Sequence, residues 1–358
     1  MTPLNSRDLT EAIKIDIETG LVPMVKGNPG IGKSQVVKAI GKEANLKLCV
    51  EHMSGMEPTD VNGYPDVAGD YARFKTFENF PTTEMPVPAG TNGWLLFLDE
   101  LNSASVETQA ACYSLILDRK VGSKVLHPQC YIVAAGNLKT DNAIVNQQSS
   151  ALTSRMVNYE MRFDPTVFLE DVVAAHSWEY RVAAYLEWKP EHCHMFDPSK
   201  AEDPYACPRT WDMQQQRMKT QEHFQWTDAR GDAQVGFNYE ATHNRASAEG
   251  LIGTELGREF ITFCRTFGQI PTTKTIINDP IGTAVPNSRG LQFALVVQLR
   301  KDVDVTNLQD IYQFVERLDP EFRVTFLRGA LADPTKQIPR SHPVIIDAQR
   351  NLRRRANP

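Results

Sequence analysis

Lys33 and Ser34 end a run, Gly27-Asn28-Pro29-Gly30-Ile31-Gly32-Lys33-Ser34, that fits the pattern G-x-x-x-x-G-K-[ST] at every position. Residues of these types at this spacing do one kind of chemistry. The glycines let the backbone bend round a chain of phosphates and aim successive N–H groups at its oxygens. Lys33 reaches the β- and γ-phosphates, and the Ser34 hydroxyl serves as a ligand of Mg²⁺. The run predicts a nucleoside triphosphate site, taken as ATP with Mg²⁺.

Further polar residues have the types that such a site needs. Asp99 and Glu100 follow the apolar stretch Trp94-Leu95-Leu96-Phe97-Leu98. A carboxylate at Asp99 can hold Mg²⁺ opposite Ser34, and Glu100 can orient and activate an attacking water as a general base. That second carboxylate favours hydrolysis over transfer to a small acceptor; otherwise the pair is a charged strand end facing solvent. Asn137 ends Ala134-Ala135-Gly136, where it is either a turn residue or a group that positions the nucleophile. Arg155 follows Ser150-Ala151-Leu152-Thr153-Ser154 and is either half of a surface salt bridge or a cation for a neighbouring subunit's phosphates, with Arg162 as a lesser substitute. Arg209, in Cys207-Pro208-Arg209-Thr210-Trp211, stands where a helix begins and can reach the γ-phosphate from there.

These residues must be carried by elements that bring them together. Apolar runs at Leu21–Val25, Leu46–Glu51, Gly93–Leu98, Tyr131–Ala135 and Met156–Met161 read as strands, the third and fourth apolar enough to be buried on both faces. Helical spacing lies between them. Leu9, Ile13 and Ile17 mark a first helix capped by Ser6 or Asp8; Val36, Val37, Ile40 and Ala44 mark a second. A third runs from about Ser105 to Asp118. Strands alternating with helices predict an α/β fold: a parallel five-stranded sheet of the P-loop NTPase kind, flanked by helices. From Asp164 on, helical segments dominate, at Thr210–Gln221, Gly250–Phe267, Leu291–Arg300 and Asn307–Leu327. Pro190 to Pro208 reads as a loop, and Phe224 to Glu240 has no assignable period.

Composition narrows the classes. The chain has 358 residues, 41% hydrophobic and 23% charged, which is ordinary globular composition. Its net charge of −6 provides no overall basic field for nucleic acid. Arg350, Arg353, Arg354 and Arg355 form a local basic tail, either a solvated helix end or a contact with a partner. No run approaches the roughly 18 apolar residues of a membrane span, and the start of the chain lacks the regions of a signal peptide, so the expected location is cytoplasmic. The six cysteines include no C-x-x-C pair and are expected to be reduced thiols. His192, Cys193, His194 and Cys207 match no standard zinc spacing.

In this order, the phosphate loop, Asp99-Glu100, Asn137, Arg155 and Pro208-Arg209 resemble the AAA+ ATPases. The likeness extends to the MoxR-type and dynein-related branch through Asp99-Glu100-Leu101-Asn102-Ser103-Ala104 and Glu57-Pro58-Thr59-Asp60-Val61-Asn62-Gly63-Tyr64-Pro65. It covers about residues 9 to 215. The resemblance implies Walker A roles for Lys33 and Ser34, Walker B roles for Asp99 and Glu100, sensor 1 for Asn137, an arginine finger for Arg155 and sensor 2 for Arg209. It implies an α/β nucleotide-binding domain over 1–163, a helical lid over 164–270 and a C-terminal helical extension over 271–358. It also implies a ring, usually a hexamer, and a separate partner with a von Willebrand factor A domain, the pair remodelling or activating a protein target. In this branch, inserted hairpins that face the ring's pore often fall in the region corresponding to Ser54–Asn92, where Tyr64, Tyr71, Phe74, Phe77 and Phe80 interleave with Arg73 and Lys75; ordinary packing under a loop is the other reading. The leading function is ATP-driven protein remodelling. A nucleic-acid motor or loader on the same fold is the alternative, and a small-molecule kinase is disfavoured by Glu100.

Overall fold

The computed structural model describes residues 1–348 apart from 68–72, 139, 141–145, 147, 201, 230, 232, 267–269 and 333–335. Tyr71 and the arginine tail lie outside the described residues. The chain divides into two compact units: 1–168 with 194–203 and 207–209, and 169–193 with 204–206 and 210–358.

The first unit begins with α1 (Ser6–Glu18). Its cap is Asn5, whose side chain accepts from the Asp8 N–H, rather than Ser6 or Asp8; an Asn with extended backbone satisfies the helix's orphan donor as well as a Ser does. Then come β1 (Pro23–Lys26), α2 (Lys33–Glu43), β2 (Lys47–His52), α3 (Pro58–Asn62), β3 (Tyr64–Asp66), β4 (Arg73–Lys75) and β5 (Trp94–Asp99). The unit continues through α4 (Val106–Leu117), β6 (Lys120–Val121), β7 (Lys124–Val125), β8 (Cys130–Gly136), α5 (Ser150–Thr153), β9 (Val157–Glu160) and α6 (Pro165–Phe168). Five strands form one parallel sheet in the order β2-β5-β8-β1-β9. The fold is therefore the expected one, a five-stranded P-loop NTPase sheet with helices.

The interior strand β5 shows why a continuous apolar run is needed. Leu95 and Phe97 pack with Leu9, Ile13, Val37 and Ile40 on one face, while Leu96 and Leu98 pack with Met53, Leu101, Cys112 and Leu115 on the other. Each such side chain contributes about 1.5–3 kcal/mol of burial. The stretch between β2 and β5 is not wholly irregular: β3 and β4 pair as an antiparallel hairpin. Its aromatics divide. Phe80 is fully buried, whereas Tyr64, Phe74 and Phe77 are exposed, and the Tyr64 and Phe77 rings meet edge to face at 5.7 Å.

The second unit is mostly helical, with α7 (Tyr180–Trp188), α8 (Pro208–Lys219, its first two residues in the first unit), the hairpin β10 (Gln225–Thr227) and β11 (Ala233–Val235), and α9 (Thr242–Ile252) to α10 (Thr254–Thr266). It ends with α11 (Thr273–Asn278), α12 (Arg289–Asp302), α13 (Leu308–Val315) and α14 (Pro320–Ala332). Two expected segments turn out to be broken. Gly253, at φ 94°, separates α9 from α10, and Pro320 disfavours helical backbone before it, separating α13 from α14. Between α7 and α8 the expected loop contains short 3₁₀ turns at Pro190–Cys193 and Pro198–Lys200. Among the described residues no helix is long and apolar enough to cross a membrane.

Candidate nucleotide site

Three strands bring their C-terminal ends to one edge of the sheet. β1 runs into the phosphate loop, β5 ends at Asp99 and β8 leads to Asn137; β8 lies between the other two, with Lys26 opposite Gly136 and Leu98 opposite Ala134. In open parallel sheets this edge is where ligands bind. Gly30 (φ 77°) and Gly32 (φ 99°) take left-handed backbone, which turns the loop into α2 with no side-chain cap on its first N–H groups. An uncapped helix start with its positive dipole end suits an anion.

Lys33 folds onto this loop. Its Nζ donates to the carbonyls of Gly27 at 2.6 Å and Asn28 at 2.9 Å, and to Asn137 Oδ1 at 3.2 Å. Ser34 Oγ donates to Asp99 Oδ2 at 2.9 Å. Loop, strand end and Asn137 thus form one hydrogen-bonded group. Two oxygen ligands, Ser34 Oγ and Asp99 Oδ2, share one spot of the kind a hard cation such as Mg²⁺ requires, so these residues fit it.

Glu100 adopts left-handed backbone (φ 57°, ψ 34°) and is exposed. That conformation is costly for a residue other than glycine and tends to occur at functional sites. Ser54 Oγ donates to Glu100 Oε2 at 2.6 Å, from the 3₁₀ turn that follows β2.

Asn102 is the residue whose part was not assigned from sequence. It is 3% exposed, and it clamps the Asn137 backbone from both sides: its Nδ2 donates to the Asn137 carbonyl at 2.8 Å and its Oδ1 accepts from the Asn137 N–H at 3.1 Å. A Cβ on Gly136 would land on Asn102 Oδ1, which explains the glycine before Asn137. The signal was present in Leu101-Asn102-Ser103, a polar amide in an otherwise apolar setting, but its target is distant in sequence.

Arg155 is exposed just after α5. Its Nη1 donates to the Ala151 carbonyl at 2.6 Å, and its guanidinium lies 5.6 Å from the centre of the Tyr113 ring. Among the described residues no carboxylate forms a salt bridge with it. Arg209, in the first turn of α8, is exposed as well. Arg162 is exposed beyond β9. These arginines do not join the hydrogen-bonded group around Lys33.

Residues 23–156 match the family model of the AAA domain, dynein-related subfamily. This segment is similar to an AAA domain. It runs from β1 to the residue after Arg155 and so contains the phosphate loop, Asp99-Glu100, Asn137 and Arg155. Among solved structures the chain is similar to a Cytophaga hutchinsonii protein provisionally described as an ATPase, at 17% identity and TM-score 0.36. That match covers 49% of this chain and 52% of the other, so the chain spans about half of that protein's length. It is also similar to the RuvB Holliday junction branch migration motor of Thermotoga maritima, at 14% identity and TM-score 0.37 over 87% of each chain. No curated protein matches the chain in sequence.

Proposed function

We propose that this chain binds ATP with Mg²⁺ and hydrolyses it as one subunit of a ring, a hexamer in the form usual for the family. Hydrolysis drives the remodelling or activation of a protein target in the cytoplasm, alongside a separate partner bearing a von Willebrand factor A domain. The observation that carries this reading is the linked group at the sheet edge, in which Lys33 meets Asn137 and Ser34 meets Asp99 with Glu100 adjacent. Gly27, Asn28, Pro29, Gly30, Ile31 and Gly32 wrap the phosphates; Ser34 and Asp99 hold Mg²⁺, which neutralises charge on the phosphates when bound. Glu100 takes the proton of the attacking water, and Asn137, held by Asn102, orients that water.

The same reading gives Arg155 to the neighbouring subunit's site. Exposure, and the lack of a carboxylate partner among the described residues, support it, because a guanidinium used in trans must be free to leave its own surface. Arg209 opens α8 and reports the γ-phosphate to a helical lid over 164–270, with 271–358 as an extension. Net charge −6, and exposed Tyr64, Phe74 and Phe77 on and beside the β3–β4 hairpin, favour a protein target over nucleic acid.

Subunit mixing tests the shared site. Lys33→Ala and Arg155→Ala should each lose ATPase activity, the first through loss of nucleotide binding. A mixture should regain part of it, because some interfaces then pair an intact Lys33 with an intact Arg155. No regain, with both variants folded and assembling, removes Arg155 from the neighbour's site.

A further inference from the structure

α5 is a single turn of helix, too short to hold itself in place, and Arg155 stands just beyond its end. What fixes it comes from α4. Tyr113 is half-buried and packs against the core cluster on one face of the sheet, so its place is set by the core. That side chain meets the α5 segment at two points. Its hydroxyl lies 2.7 Å from Ser149 Oγ, the atom that caps α5 by accepting from the Leu152 N–H at 3.2 Å. Its ring centre lies 5.6 Å from the Arg155 guanidinium carbon, at the other end of the same turn.

The two contacts act differently. A hydrogen bond to the cap fixes where the turn starts, and so the direction in which the backbone presents Arg155. The ring face attracts a cation through its quadrupole without occupying any N–H group. A guanidinium has five N–H donors, and among the described residues Arg155 uses its Nη1 on the Ala151 carbonyl at 2.6 Å. The remaining donors stay open to an acceptor from outside, of the kind that phosphate oxygens provide. Core packing alone would need neither the hydroxyl at the cap nor the ring beside the cation.

We propose that Tyr113 is a positioning residue for Arg155, holding the cap of α5 by its hydroxyl and the guanidinium by its ring, so that the arginine is presented to the phosphates bound by the neighbouring subunit. This rests on the reading of Arg155 as a cation used in trans. Tyr113 itself is assigned no contact with the nucleotide.

Steady-state ATPase assays on the assembled full chain test this. An exposed cation–π contact and one hydrogen bond together correspond to about a tenfold change in rate, so Tyr113→Leu should lower turnover about tenfold. Tyr113→Phe keeps the ring and should lower it about threefold. Mixing supplies the readout that a packing defect would not move. Lys33→Ala is inactive but keeps Tyr113 and Arg155 intact, so adding it should raise the turnover of each Tyr113→Leu subunit several-fold. A local defect inside Tyr113→Leu would stay with that subunit and would not be repaired by an inactive neighbour. Wild-type turnover in Tyr113→Leu overturns the inference. So does a loss that Lys33→Ala leaves unrepaired under conditions where it does repair Arg155→Ala. If Tyr113→Leu fails to fold, Tyr113→Phe is put to the same two tests. Where Lys33→Ala repairs neither variant, the trans reading of Arg155 falls, and this inference with it.

Discussion

The two units use the same residue types for opposite ends. In the second unit, polar groups are locked among aromatic rings. Tyr185, fully buried, meets Trp211, Phe260 and Phe263 at 5.2–5.6 Å between ring centres, and its hydroxyl bonds His192 Nδ1 at 2.8 Å and Glu259 Oε1 at 2.9 Å. Glu259 also takes Lys189, and buried Arg181 takes Glu179 at 2.7 Å. In the first unit, Glu100 and Arg155 are exposed and, among the described residues, the side chain of each makes one hydrogen bond, while Glu100 has strained backbone. A carboxylate or guanidinium enclosed by structural partners stabilises a fold; one held by a single exchangeable bond is free to work on something else.

The largest effect that sharpens this contrast is on turnover. Glu100→Gln keeps size and shape but removes the base, so the rate of ATP hydrolysis should fall by about 10²–10⁴ while ATP still binds. A phosphate-release assay beside a binding titration checks both halves. Retained turnover would reduce Glu100 to a strained surface residue and erase the difference between the units.

In the second unit, the matching substitution should cost stability instead. Trp211 is fully buried and its Nε1 donates to the His192 carbonyl at 2.9 Å. Trp211→Ala should destabilise by about 3–5 kcal/mol, read from urea unfolding. A loss below about 1 kcal/mol would mean that the aromatic cluster is not the core it resembles.

Acid should act on the same cluster. Burial holds the His192 pKa below 6.5, with Glu259 opposing and Lys189 reinforcing the shift. The unfolded chain therefore binds that proton more readily, and stability falls as the pH drops from about 6.5 toward the lowered native value. Above about pH 7.5, where neither state binds that proton, His192 contributes no slope. His192→Gln should flatten the urea midpoint between pH 7.5 and 5.5; an unchanged slope would assign the acid sensitivity to other groups.

What was legible follows the same division. β5 and β8 were visible because strands buried on both faces read as unbroken apolar runs. The residues of the phosphate loop and Asp99-Glu100 were visible because each set is contiguous. The β10–β11 hairpin was not, since Gln225, Thr227, Ala233 and Val235 are exposed and leave no hydrophobic alternation. Nor were the parts of Asn102 and Ser54, whose partners Asn137 and Glu100 lie 35 and 46 positions away. Contacts between residues far apart in sequence leave no local pattern.

Ser54 offers the smallest and most discriminating test. Its hydroxyl donates to Glu100 Oε2 at 2.6 Å, and that bond occupies an oxygen that a water would otherwise use. On the proposed role, this restrains Glu100. Loss of a hydrogen bond of ordinary strength corresponds to a factor of about 2–12, so Ser54→Ala should raise basal ATP turnover by a few-fold without changing ATP affinity. The opposite outcome is equally informative. If turnover drops by a similar factor, the bond aims Glu100 rather than restraining it, and the freedom assigned to that carboxylate gives way to the tight positioning found around Tyr185. Ser54→Thr separates the cases further: it keeps the hydroxyl, so it should restore the wild-type rate under either account, while failure to do so would trace the effect to the 3₁₀ turn Met53–Gly55 rather than to the hydrogen bond.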